Sequence, residues 1–316
     1  MDNITPLQQL ATIVATPKAT AGLGFSDVEI EQALPSIALF QPREAMRIRN
    51  SGAPASTAEP EYPSMGAQFD LYFAQVPAAD TKLEVLDAKG GALRTWTVAA
   101  PRSAAPAAEG GGGGFRRGGG GSTAIRPEAG MQRITWDLRY SGPWTPNTPE
   151  GGFGGPIVPP GKYSVRLTSG GQTITRTFDL KSDPRLAADG VTDGDIAEQV
   201  KFQLQVRDAI SDARKLQQSI EQAMQKAGLK PMLDPGNVGS SPSTTKYDHP
   251  LRELYAKVVT TPGIYTQGML IDQLSNIQRM ITQADQKIGK DAYDRFADLV
   301  KEMQSLEAQL KKLGAN

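Results

Sequence analysis

The chain has no cysteine and a single histidine, His249. The first absence excludes disulfides, thiolate zinc sites and a cysteine nucleophile. The second excludes a zinc held by two or more imidazoles and leaves His249 as the one base open to a Ser-His-Asp triad. An excess of either charge is also missing, since 34 Lys and Arg balance 34 Asp and Glu. Nucleic-acid binders and polybasic membrane proteins ordinarily carry a charged face, so neither class is expected. No apolar run approaches the ~18–20 residues of a membrane span. The opening MDNITPLQQL has an acid, no basic residue and no apolar core, and does not read as a signal peptide. It points either to a cytosolic protein or to a chain that is not the whole gene product.

Glycine (33 residues) and proline (23) are plentiful and cluster between periodic stretches. At 316 residues the length predicts two domains. Residues 1–62 have weak periodicity and read as an extended arm and linker. Thr5-Pro6-Leu7 can open a helical turn, Ile37 to Phe40 suits one extended segment, and 51–60 is small and polar.

From Ala67 the period becomes two. Phe69, Leu71 and Phe73 alternate with Gln68, Asp70 and Tyr72, as in a half-buried strand. Leu83 and Val85 lead to a hairpin turn at 87–91, with LRTWTV (93–98) returning. Residues 101–127 are low in complexity and include GGGGGFRRGGGG at 110–121. That tract satisfies GxGxxG trivially, lacks GK[ST], and is not followed by a helix that would present its N-terminus to a phosphate. One Phe and one Arg pair are too few for an RGG-type nucleic-acid tract. It reads as a disordered, tolerated loop expansion. MQRITWDL (131–138), KYSVRL (162–167) and TITRTFDL (173–180) supply further strands. Gly170-Gly171 forms the hairpin loop between the last two.

Past Asp183-Pro184-Arg185 the period changes again. Thr192 to Asp195 resembles a capping box with Asp in the usual Glu position. Phe202, Val206, Ala209, Ala213, Leu216, Ile220 and Ala223 then recur at alternating spacings of four and three, on one helix stopped near Gly228. Pro250 starts a short helix. A third carries Leu270, Leu274, Ile277, Ile281, Ala284 and Ile288, with Gly289 placed to end it. A fourth runs through Phe296, Leu299, Met303, Leu306, Leu310 and Leu313. The predicted class is α+β multidomain: an antiparallel β-sandwich over 63–183, with the insert at 101–127, then an antiparallel helical bundle of about four helices over 190–316, with a loop at 229–247.

Three separated runs, TKLEVLDAKGGALRTW (81–96), GMQRITWDLRYSG (130–142) and VPPGKYSVRL (158–167), resemble in order the Ig-like module named after the flagellar hook-capping protein. With Asp2 to Leu7, LFQPR (39–43), Asp183-Pro184-Arg185 and the helical tail, nearly the whole chain resembles the C-terminal region of bacterial exported BNR/Asp-box, sortilin-like β-propeller proteins, often named glycosyl hydrolases. The resemblance implies an Ig-like sandwich, a periplasmic, cell-surface or secreted location, and a partner in the family's own N-terminal propeller or another envelope protein. It makes Met1 an internal methionine. It also makes Trp136 a packed residue and Asp137 a turn residue. No S-x-D-x-G-x-T-W Asp-box occurs in the chain, so the propeller's binding functions do not transfer.

A glycosidase needs two carboxyls ~5–10 Å apart. Asp70 and Asp137 are the β-region candidates, and nothing in the sequence brings them together. His249 before Pro250 reads as a helix-start residue, as do Asp193 and Asp195. DGVTDGD (189–195) is too sparse in acids for a calcium loop. Trp144 and Phe153, among prolines and glycines between 141 and 158, form the stickiest stretch and are the candidate contacts for a partner or carbohydrate. The expected function is a non-catalytic structural and interaction module without cofactor or metal. The alternative is the tail of a sialidase-like glycoside hydrolase whose active site lies in a propeller.

Overall fold

The computed structural model describes residues 35–49, 65–99, 124–152, 154–230, 247–260 and 267–314. The Gly-rich tract, most of the N-terminal arm, the stretch 231–246 and Phe153 lie outside the described residues. The chain is mixed, with nine strands and five helices among the described residues. These fall into two compact units, one within 1–138 and 160–183, the other within 139–159 and 184–316.

The first unit holds β1 (Ile37–Leu39), β2 (Ala45–Arg47), β3 (Ala67–Phe73), β4 (Lys82–Leu86), β5 (Ala92–Val98), β6 (Ala124–Ile125), β7 (Gly130–Trp136), β8 (Gly161–Ser169) and β9 (Gln172–Ser182). One sheet has the order β1-β3-β7 and the other β2-β9-β8-β4-β5-β6. The short pairs β2 with β9 and β5 with β6 are parallel, and all other pairs are antiparallel. Side chains alternate as the period of two requires: Ala67, Phe69, Leu71 and Phe73 are buried on β3, and Tyr163, Val165 and Leu167 on β8.

The buried faces of the two sheets meet through aromatic rings. Phe69 lies 6.4 Å from Trp96 and 5.4 Å from Phe178. Trp136 lies 5.9 Å from Tyr163, edge to face. Gly170 and Gly171 both take positive φ (+53° and +77°), which a two-residue turn between β8 and β9 demands. The β4–β5 turn is held by Asp87, whose Oδ1 accepts from the Lys89 and Gly91 amides at 2.8 Å each.

The second unit holds α1 (Arg185–Ala188), α2 (Asp193–Lys226), α3 (Pro250–Val258), α4 (Leu270–Thr282) and α5 (Lys290–Lys312). The capping box at the start of α2 forms: Asp195 N donates to Thr192 Oγ1 at 3.1 Å, and Thr192 N to Asp195 Oδ2 at 3.0 Å. Its end is a Schellman motif. Gly228, at φ +71°, donates to Gln225 O, and Leu229 N donates to Met224 O.

Both ends of α2 report how the helices run. At its start, Gln199 and Gln203 reach Ile281 at the end of α4, and Phe202 packs against Tyr293 and, edge to face, against Phe296 at the start of α5. Towards its end, Glu221 accepts from Tyr255 Oη, Arg252 donates to Lys230 O, and α5 has reached Leu310. So α3 and α4 run against α2, one after the other, and α5 runs with it. All four share one core, with Val206, Ile210, Ile220, Leu254, Leu274 and Leu306 among its members.

Two helix ends differ from the periodic reading. α4 stops at Thr282, so Ala284 and Ile288 lie in the connection to α5. Gly289 caps the start of α5, at φ −73°, and does not end α4.

Candidate interaction surface

The stretch from Arg139 to Pro159 leaves the end of β7 after Leu138, whose φ of +61° is left-handed and unusual for a branched side chain. The stretch folds back on itself. Tyr140 N donates to Pro156 O at 2.9 Å, Gly142 N to Gly152 O at 2.7 Å, and Arg139 Nη1 to Gly155 O at 2.9 Å. The two legs are so close that a Cβ on Gly155 would stand 2.1 Å from Tyr140 O. At the tip, Thr148 N donates to Thr145 O at 3.1 Å, and the two hydroxyls lie 2.6 Å apart. Pro146, Asn147, Pro149 and Glu150 are exposed there.

This stretch is fastened to the middle of α2. Trp144 N donates to Ser211 Oγ at 3.0 Å, and Ser211 Oγ donates onward to Arg207 O at 2.9 Å. Arg214 Nη1 donates to Trp144 O at 3.2 Å, and Arg207 Nη1 to Ser141 O at 3.3 Å. Arg207, Ser211 and Arg214 are four and three residues apart, hence on one helix face. Both backbone polar groups of Trp144 are thereby engaged, and its side chain is half-buried. The result is a turn fastened to a helix by three hydrogen bonds. The heptad stripe does not include these three α2 residues. The one local hint was Ser211, a small polar residue in the interior of a long helix.

The acid–base candidates Asp70 and His249 have structural partners. Asp70 on β3 faces Arg133 on β7 in register and accepts from its Nε at 2.7 Å and Nη2 at 3.0 Å. That hydrogen bond, with the Asp70 charge adding to it against the opposing effect of burial, raises the Arg133 guanidinium above its ordinary value. Asp137 lies four residues beyond Arg133, the strand partner of Asp70, so at ~3.4 Å per residue its backbone stands about 14 Å along the sheet from Asp70. That exceeds the ~5–9.5 Å that glycosidase chemistry uses. Glu84, which no motif marked, is 8% exposed and held between Arg166 (3.0 Å) and Lys82 (3.3 Å).

In the helical unit, His249 is the N-cap of α3, and its Nδ1 accepts from Leu251 N at 3.1 Å. Asp195 is held below the usual carboxylate range, first by the Thr192 hydroxyl and then by the Thr192 amide. Asp248 is lowered chiefly by its hydrogen bond from Arg252. Sequence reasoning did not single out Gln199 and Gln203, both fully buried, whose amides cap the end of α4.

Two open grooves flank α5. One of about 450 Å³ has Leu216, Ala223 and Leu310 on its walls and Lys215, Lys226 and Glu307 at its rim. The other, about 670 Å³, lies along Ile277, Met280, Ile281 and Ala292. Among the described residues no group of three or more His, Cys, Asp or Glu could hold a metal ion. None of their helices is long and apolar enough to cross a membrane. No protein-family model matches the chain, and no curated protein matches it significantly.

Proposed function

We propose that the chain is a non-catalytic structural and interaction module: an Ig-like β-sandwich followed by an antiparallel helical bundle, accessory to a cell-envelope or secreted β-propeller. The observation that carries this reading is the employment of its acid–base groups. Asp70 accepts from Nε and Nη2 of Arg133, and the sole imidazole holds a helix amide. A general acid or base needs a proton site open to substrate, and these groups are directed at the protein's own backbone and side chains.

The sandwich reading is supported by the aromatic contacts between the two sheets and by fully buried Trp136. The bundle reading is supported by the opposed courses of α2 and α4 over one core. The partner surface assigned here is the turn from Thr145 to Glu150, whose base on α2 keeps it in one shape without a partner, reducing the ordering cost of binding. Its occupant is the propeller or another envelope protein, with carbohydrate on Trp144 as the lesser role. The envelope location and the propeller itself rest on the resemblance of the quoted sequence runs.

The coding DNA on the 5′ side of the Met1 codon tests the propeller assignment. An in-frame continuation encoding Asp-box blades is the expected result. A stop codon directly upstream with a ribosome-binding site would overturn it.

A further inference from the structure

The first turn of α3 depends on an acceptor that acid removes. Pro250 at the first helical position has no amide hydrogen. Arg252 N and Glu253 N both donate to His249 O, at 3.0 and 3.2 Å. That leaves the Leu251 amide, on a residue only 5% exposed, with His249 Nδ1 as its acceptor. A backbone N–H can only donate, so Nδ1 must carry a free lone pair for this bond to exist. We propose that His249 is a pH-sensitive cap: its neutral ring holds the first turn of α3, and protonation of the ring releases that turn.

The charged surroundings do not rescue the bond. On the same segment Asp248 is bonded to Arg252, and Glu253 to Lys257 at 2.8 Å. Half-buried Tyr247 precedes them. The end of α2 packed against α3 carries Glu221 and Lys226, with Lys230 just beyond it, the first turn of α4 carries Asp272, and α5 carries Lys301, Glu302, Glu307, Lys311 and Lys312. Attraction from Asp248 or Glu253 stabilises an imidazolium but cannot give Nδ1–H an acceptor lone pair. The positive end of the helix dipole also opposes the imidazolium charge. The sign is therefore fixed. The folded turn needs the lone pair of the neutral ring, so the bond exists while Nδ1 is unprotonated and is lost when Nδ1 takes a proton. The exposed consequence is apolar, because Leu251, Leu254 and Val258 share a core with Ile220 and Met224 of α2.

The test is hydrogen exchange of the Leu251–Val258 amides, corrected for intrinsic rates, at about pH 8 and about pH 5, bracketing imidazole titration. The wild type should lose about fivefold in protection on acidification, the equivalent of one N-cap. His249→Asn, whose amide oxygen caps at either pH, should keep its protection at both. His249→Ala should be low at both. Equal protection of the wild type at the two pH values would overturn the proposal. So would an equal acid loss in His249→Asn, which would place the effect on Asp248 or Glu253.

Discussion

Gln199 Nε2 donates to the carbonyl oxygen of Ala284 at 2.7 Å, from a fully buried position on α2 to a residue beyond the end of α4. The same amide donates to Ile281 O at 2.8 Å, and Gln286 N returns a bond to Gln199 Oε1 at 3.3 Å. Carbonyls that would otherwise be orphaned at a helix end are thus satisfied from a neighbouring helix, and α4 can stop there.

Gln199→Leu removes both donors and leaves Ala284 O unserved. Gln203→Leu removes one donor, at 2.6 Å, from Ile281 O, which Gln199 still serves. It also removes Gln203 Oε1, a buried atom with no partner of its own. Urea unfolding should show a loss of roughly 1–3 kcal/mol for Gln199→Leu and a smaller loss for Gln203→Leu. The reverse order would contradict this account of the helix end.

Trp136 is fully buried and meets Tyr163 across the two sheets. Trp136→Ala should cost about 3–5 kcal/mol in denaturant unfolding. Met131 on the same strand is 42% exposed, and Met131→Ala should stay within about 0.5 kcal/mol of wild type.

Gly155→Ala places a Cβ 2.1 Å from Tyr140 O and 2.5 Å from Ser141 O, so the legs of the 139–159 stretch must separate. Forcing them apart costs about 1–3 kcal/mol. Hydrogen exchange at Tyr140, Gly142 and Trp144 should then accelerate by about tenfold, with the α2 core amides unchanged. Ser211→Ala should accelerate Trp144 alone.

The capping box carries a pH dependence of known sign. The carboxyl of Asp195 is lowered in the folded chain, so its contribution is present above the ordinary aspartate range and lost as the pH falls through the depressed value. The Tm difference between wild type and Asp195→Ala should be constant near neutrality and shrink below about pH 4. Thr192→Ala should lose about 1 kcal/mol at neutral pH.

Local signals were legible in the sequence. The alternation on β3, the Gly170-Gly171 turn and the Thr192 cap each depend on neighbours within a few residues, and each forms as read. Ala284 and Ile288 show where that logic ends. Their heptad spacing continues the α4 stripe, yet they lie past its last turn, and Ile288 still packs against the core. Spacing reports burial, and where the helix stops its carbonyls are served by a tertiary bond from Gln199. The fastening of Trp144 to Ser211 spans 67 residues, beyond any local pattern. Asp70 and Arg133 are 63 residues apart, so their pairing follows from strand register, which the sequence left open.

The most direct measurement is turnover by the purified 316-residue chain on a panel of aryl glycosides that includes a sialoside. A rate equal to that of buffer is predicted for the wild type, for Asp70→Asn and for His249→Asn alike. Turnover by the wild type that either substitution abolishes would contradict a structural role for these residues.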